Sequence, residues 1–113
     1  ILYSLATISL ESGLTQEALG YARMAKERLP EDPNVMDTLG WVYFKKGLYD
    51  SAIGEFSDSL EKMPDNAVVN YHLGMAFYEK GDHDRAKSQL ERALSLSQTF
   101  DGVEEAKKVL SGL

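Results

Sequence analysis

The sequence predicts an all-α protein: a solenoid of antiparallel helix pairs, stacked in order and closed by one further helix. Three observations carry that expectation. Side chains recur at one fixed spacing, glycines punctuate segments of helical length, and apolar residues within each segment fall on one helical face. Gly13, Gly47 and Gly81 are 34 residues apart, as are Leu5, Leu39 and Leu73, and Ala18, Ala52 and Ala86. Two more columns read Ala6, Gly40, Gly74 and Ala25, Ser59, Ala93, while Pro30 and Pro64 share another that Gln98 breaks. A period of this length marks an architecture whose units bury their apolar faces on one another.

The elements follow from this register. Helices are expected at about 1–12, 15–29, 33–46, 49–62, 67–80, 83–96 and 101–112, with ends uncertain by roughly 2–4 residues. Leu39 and Tyr43 lie four apart on one face, and Ala52 and Phe56 do so on the next segment. Asp32-Pro33 reads as an N-cap followed by proline at the first helical position. Gly47 and Gly81 end the first helices of their pairs, where a positive φ costs glycine least. Small residues at Gly40, Gly74, Ala52 and Ala86 let paired helices come close. Helices of about 12–15 residues are marginal alone in water, so stacking must stabilise them.

In the last segment, Asp101-Gly102-Val103-Glu104 fits a capping box. Val103, Ala106, Val109 and Leu110 make an apolar stripe opposite Glu104, Glu105, Lys107 and Lys108. One dry and one wet face suit a terminal cap. The expected division is a single domain over 1–113: repeats at 1–32, 33–66 and 67–100, and a capping helix at 101–113. The first repeat is incomplete at its start, and with no initiator methionine the expectation is a piece of a longer protein.

Composition narrows the function. The 113 residues suit one domain, and no apolar run approaches the roughly 20 residues of a membrane span. Eighteen acidic and 12 basic side chains give a net charge of −6, which argues against nucleic acid as partner. Cysteine is absent, excluding disulfides and thiolate sites but fitting a bacterial cytoplasm or periplasm alike. The histidines, His72 and His83, have no partner at metal-ligand spacing, and glycines sit singly rather than in a phosphate loop. Glu55, Asp58, Glu61 and Glu91 read as a solvated face, and Lys45-Lys46 is too short for a basic patch. No catalytic residue, metal or cofactor is expected.

The columns resemble the tetratricopeptide repeat (TPR) family. The second repeat matches its pattern with Met36, Leu39, Gly40, Tyr43, Ala52, Phe56 and Pro64, and the third with Asn70, Leu73, Gly74, Phe77, Ala86 and Leu90. Met36 and Asn70 replace the family's usual tryptophan, and Ser9 and Ala22 stand where the first repeat should carry aromatics. The resemblance covers residues 1–100. It implies a right-handed solenoid, no enzymatic activity, and a concave surface lined by the first helix of each pair.

By that register the inner positions are Tyr3, Thr7, Leu10 and Glu11; Asn34, Asp37, Trp41, Phe44 and Lys45; and Val68, Tyr71, His72, Met75, Tyr78 and Glu79. From them Tyr3, Thr7, Leu10, Asp37, Trp41, Phe44, Tyr71, His72, Met75 and Tyr78 are the expected ligand-binding residues. Contiguous exposed apolar side chains usually mark a binding surface, and Trp and Tyr are common anchors. Packing of these rings between repeats is the alternative. Some TPR adaptors clamp a terminal carboxylate with lysine, asparagine and arginine, but the matching columns hold Tyr3, Thr7, Asp37, Trp41, Tyr71, His72 and Met75. An apolar or aromatic segment fits better, with a basic residue meeting Asp37.

The expected function is therefore a scaffold binding a protein or peptide. The alternative is a spacer or self-associating element of a larger bacterial assembly, possible as a homo-oligomer. Asp37-Thr38-Leu39-Gly40-Trp41 and Phe100-Asp101-Gly102-Val103-Glu104-Glu105-Ala106 resemble segments of TPR lipoproteins from exopolysaccharide and protein-sorting systems.

Overall fold

The computed structural model describes residues 1–113 and contains seven helices and no strand. These are α1 (Leu2–Glu11), α2 (Thr15–Arg28), α3 (Pro33–Lys45), α4 (Tyr49–Lys62), α5 (Ala67–Lys80), α6 (His83–Leu96) and α7 (Val103–Ser111). They form the expected α-solenoid: α1/α2, α3/α4 and α5/α6 are pairs, each pair packs on the next, and α7 closes the end.

Local chemistry sets the helix ends. The Asp32 carboxylate accepts the backbone N–H groups of Asn34 at 2.8 Å and Val35 at 3.3 Å. One period later, Asn66 accepts that of Val69 at 3.1 Å. Each satisfies donors that the first helical turn leaves free. Gly13, Gly47 and Gly81 turn each pair with φ of 78°, 79° and 96°, the only positive values in the chain.

The start of α7 corrects the expected capping box. Gly102, not Asp101, is the N-cap residue, and no side chain caps it. The chain enters through a turn in which Val103 N–H donates to Phe100 C=O at 3.1 Å. Packing is the reason: a Cβ on Gly102 would fall 2.3 Å from the Tyr71 ring, so the backbone is held against that ring.

Inside the pairs, size is matched across a fixed offset. A Cβ on Gly40 would come within 2.6 Å of Phe56, and one on Gly74 within 2.7 Å of Leu90. The corresponding residues of the first pair, Ala6 and Ala22, share one buried cluster. Where the second helix has alanine instead of Phe56 or Leu90, the first helix can carry a methyl. This explains how the first pair accommodates its departure from the family pattern.

Three buried clusters run along the stack, each joining one pair to the next helix. Ala18 and Ala22 meet Leu39 and Val42; Ala52 and Phe56 meet Leu73 and Ala76; Leu90 meets Ala106 and Val109. Leu5 shares the column of Leu39 and Leu73 but is exposed, because no helix lies on that side of α1. Ion pairs lace the outer helices. Glu55, expected to be simply solvated, holds Lys26 at 2.8 Å with both side chains largely shielded. The more exposed pairs, Lys62–Glu31 and Arg92–Asp65, contribute little, about 0–1 kcal/mol each.

Glycines should therefore respond to alanine with opposite signs. Gly40→Ala should destabilise by about 1–3 kcal/mol by overpacking against Phe56. Gly20→Ala and Gly54→Ala, at exposed helical sites with open space around the new methyl, should stabilise by about 0.5–1 kcal/mol. Thermal or urea denaturation of the three variants checks this.

Candidate functional site

The first helices α1, α3 and α5 share one face, and two adjoining cavities open on it. The larger, about 460 Å³, takes Tyr3, Thr7, Leu10 and Glu11 from α1, Asp37, Thr38, Trp41 and Lys45 from α3, and His72 from α5. The second, about 390 Å³, lies between Trp41, Val68, Tyr71 and His72 on one side and residues 99–102 on the other. Trp41 and His72 line both, so they form the wall between them.

That wall is a packed aromatic ladder. The Trp41 ring stacks with Phe44 at 4.5 Å, the planes 2° apart, and with His72 at 4.0 Å and 21°. Tyr71 lies 6.3 Å from Trp41 and 5.4 Å from Phe100, which carries the row into the link before α7. Such pairs contribute about 0.5–1.5 kcal/mol beyond the area they bury. The Lys45 ammonium sits 4.9 Å from the Trp41 ring centre, a cation–π contact.

His72 also joins two helix pairs. Its Nδ1–H donates to Asp37 Oδ1 at 2.8 Å, both side chains being mostly shielded from water. The carboxylate can only accept when ionised, which fixes the proton on Nδ1. This revises the expectation that Asp37 awaits a basic ligand residue, since one of its oxygens is already engaged. Glu11, exposed on the rim of the larger cavity, is the freer carboxylate.

The expected site residues divide into three groups. Tyr3, Thr7, Leu10, Asp37, Trp41 and His72 come together around the first cavity, and Tyr71 faces the second. The Thr7 hydroxyl is tied to its own helix, donating to Tyr3 C=O at 3.0 Å. Phe44 backs Trp41 without lining either cavity, and Tyr78 stacks on His83 at 5.7 Å beyond both. Met75 is corrected outright. It is buried with Leu90, Ala106 and Val109, because α7 covers it. Thr38, Thr99, Phe100, Asp101 and Gly102 line cavities without having been expected to. Phe100, an aromatic in a link, and Gly102, a glycine outside the 34-residue column, were the available signals.

Tyr71 is the one titratable group the site visibly perturbs. Its phenol is pushed above the ordinary value near 10, first by burial and then by the negative charge of Glu105.

A model of the tetratricopeptide repeat family matches residues 43–107. No curated protein matches the sequence. Among solved structures, the type III secretion translocator chaperone SycD of Yersinia enterocolitica aligns with a TM-score of 0.84 at 26% identity, covering 99% of this chain and 78% of that one. The same chaperone in complex with a peptide of the translocator YopD gives 0.84 at 23% identity, over 98% and 88%. The first TPR of Spaghetti, bound to an HSP90 peptide, gives 0.85 at 18% identity, over 98% and 89%.

The raised phenol makes an alkaline prediction. A group whose pKa rises on folding stabilises fully below its unfolded value and loses that contribution as pH climbs through the folded one. Stability should thus fall above about pH 10, and the fall should be shallower in Tyr71→Phe. Tyrosine absorbance titration should show one phenol ionising late, and Glu105→Gln should bring it part of the way back.

Proposed function

The chain belongs to the tetratricopeptide repeat family, and on that premise we propose that it is an interaction scaffold holding a peptide or partner segment along its concave face. The observation that carries this reading is the pair of adjoining cavities sharing the Trp41–His72 wall. A segment laid across the wall meets side chains from α1, α3 and α5 and from the link before α7. The SycD–YopD and Spaghetti–HSP90 complexes support peptide binding as a use of this architecture.

The lining gives the ligand its character. Tyr3, Leu10, Trp41, Tyr71 and Phe100 offer apolar and aromatic contact, while Glu11 and Asp101 place carboxylates in the two cavities. Neither cavity holds the asparagine and paired basic groups that would grip a terminal carboxylate. An internal segment with bulky apolar side chains fits best, and fully burying one such side chain is worth about 1.5–3 kcal/mol.

The test is a peptide-display selection against the 113-residue chain, followed by calorimetric titration of the enriched peptides. Trp41→Ala should weaken their binding by about 2 kcal/mol or more. Its stability cost should stay below the roughly 3–5 kcal/mol of a fully buried tryptophan. Peptides that bind Trp41→Ala as well as the parent, or that map to α2, α4 and α6, would contradict the proposal.

A further inference from the structure

The second cavity differs from the first in its charges. In the first, the carboxylates of Glu11 and Asp37 share the space with the Lys45 ammonium, and Asp37 is engaged by His72. In the second, Asp101 is the only acidic side chain, and no lysine or arginine lines the walls. Its carboxylate enters no ion pair within the chain. Three aromatic rings stand with it: Trp41, Tyr71 and Phe100, spaced 6.3 and 5.4 Å apart and each tilted 44° to the next. An aromatic face carries negative charge density, so rings beside an unpaired carboxylate make a receptor for a cation.

The surroundings set the sign and the kind of that cation. The negative charge of Glu105 reaches the Tyr71 phenol, so the field at this wall is negative beyond Asp101 itself. The partial positive charge at the start of α7 is opposed by Glu104 and Glu105 in its first turn. Trp41 already accepts a cation within the chain, the Lys45 ammonium 4.9 Å from its ring centre. His72, on the same wall, adds an acceptor: with its proton on Nδ1 toward Asp37, its Nε2 carries a lone pair to which no group of the chain donates. A guanidinium is flat enough to stack on a ring and has N–H donors for both Asp101 and Nε2. A lysine ammonium, compact and strongly hydrated, stacks less well.

We propose that the second cavity is an arginine pocket, which receives the guanidinium of an arginine in the bound segment among Trp41, Tyr71 and Phe100 and beside Asp101. Val68 gives the methylene stem an apolar surface. The pocket names the partner chemistry of the concave face, and so rests on reading that face as a peptide groove. The bound segment carries an arginine beside its bulky apolar residues.

Capped single residues test the pocket without requiring a peptide. N-acetyl-arginine N-methylamide is titrated into the isotope-labelled 113-residue chain and followed by NMR. Its citrulline analogue has the same shape without the charge, and its lysine analogue has the charge without the plane. Saturable shifts are expected at the rings of Trp41, Tyr71 and Phe100, with citrulline about tenfold weaker. Asp101→Asn, an exposed substitution that should leave the melting temperature unchanged, should weaken arginine about fivefold and citrulline hardly at all. Arginine that shows no saturable shift there, that binds no better than citrulline or lysine, or that ignores Asp101→Asn would overturn the proposal. Peptides from the display selection give a second readout. Replacing their arginine by citrulline should cost about tenfold in the parent and much less in Asp101→Asn. Groove-binding peptides without an arginine would leave the peptide site standing and sink the arginine pocket. Capped arginine that binds while no peptide does would sink the groove and keep the pocket.

Discussion

The ring of Phe56 occupies the space in which any residue but glycine at position 40 would place its Cβ, 2.6 Å away. That contact sets how closely α3 and α4 approach, and the concave surface inherits the consequence. Phe56 is fully buried, and its ring lies 6.4 Å from Trp41 and 5.5 Å from His72. The wall between the two cavities thus rests on a side chain from the outer helix of the pair. A methyl at position 40 would push against that support, so a packing change on one side of α3 would be felt in the groove on the other.

The same logic makes the groove a property of the stack rather than of any repeat. Every helix has 14 residues or fewer, too short to persist alone in water. Each is held by its neighbours, in the nearest-neighbour manner of repeat proteins. The His72–Asp37 hydrogen bond and the Trp41–His72 stack both cross from the third pair to the second. Loosening either pair therefore loosens the wall as well. At the far end, Gly102 pressed against Tyr71 brings Phe100 to the ladder, so the closing helix shields Leu90 while the link before it completes the second cavity.

Much of this was legible because period and chemistry agree. The 34-residue columns located the six paired helices to within one residue at each end, the apolar stripe placed α7 to within two, and Gly40 and Gly74 announced close crossings. The aromatic character of α3 and α5 pointed to the face on which the two cavities open, and Trp41 to the wall between them. What the columns could not convey was the orientation of α7. Position 107 falls in the column of Leu39 and Leu73 but holds an exposed lysine. The closing helix therefore presents Ala106 and Val109 instead, and these cover Met75 and remove it from the groove. Ionic detail was likewise hidden. That Asp37 meets His72, 35 residues away, depends on how the pairs stack, and no local pattern encodes it.

Trp41 is the only tryptophan, and it reports directly on the central claim that the concave wall is both assembled from two pairs and open to a ligand. The measurement is iodide quenching of its emission in the free protein and again with a groove-binding peptide from the display selection. A half-buried indole between two cavities should be quenched partially when free and less when the peptide is bound. An indole fully shielded in the free protein, or one whose quenching ignores the peptide, would make Trp41 part of the core and leave the concave face without its proposed centre.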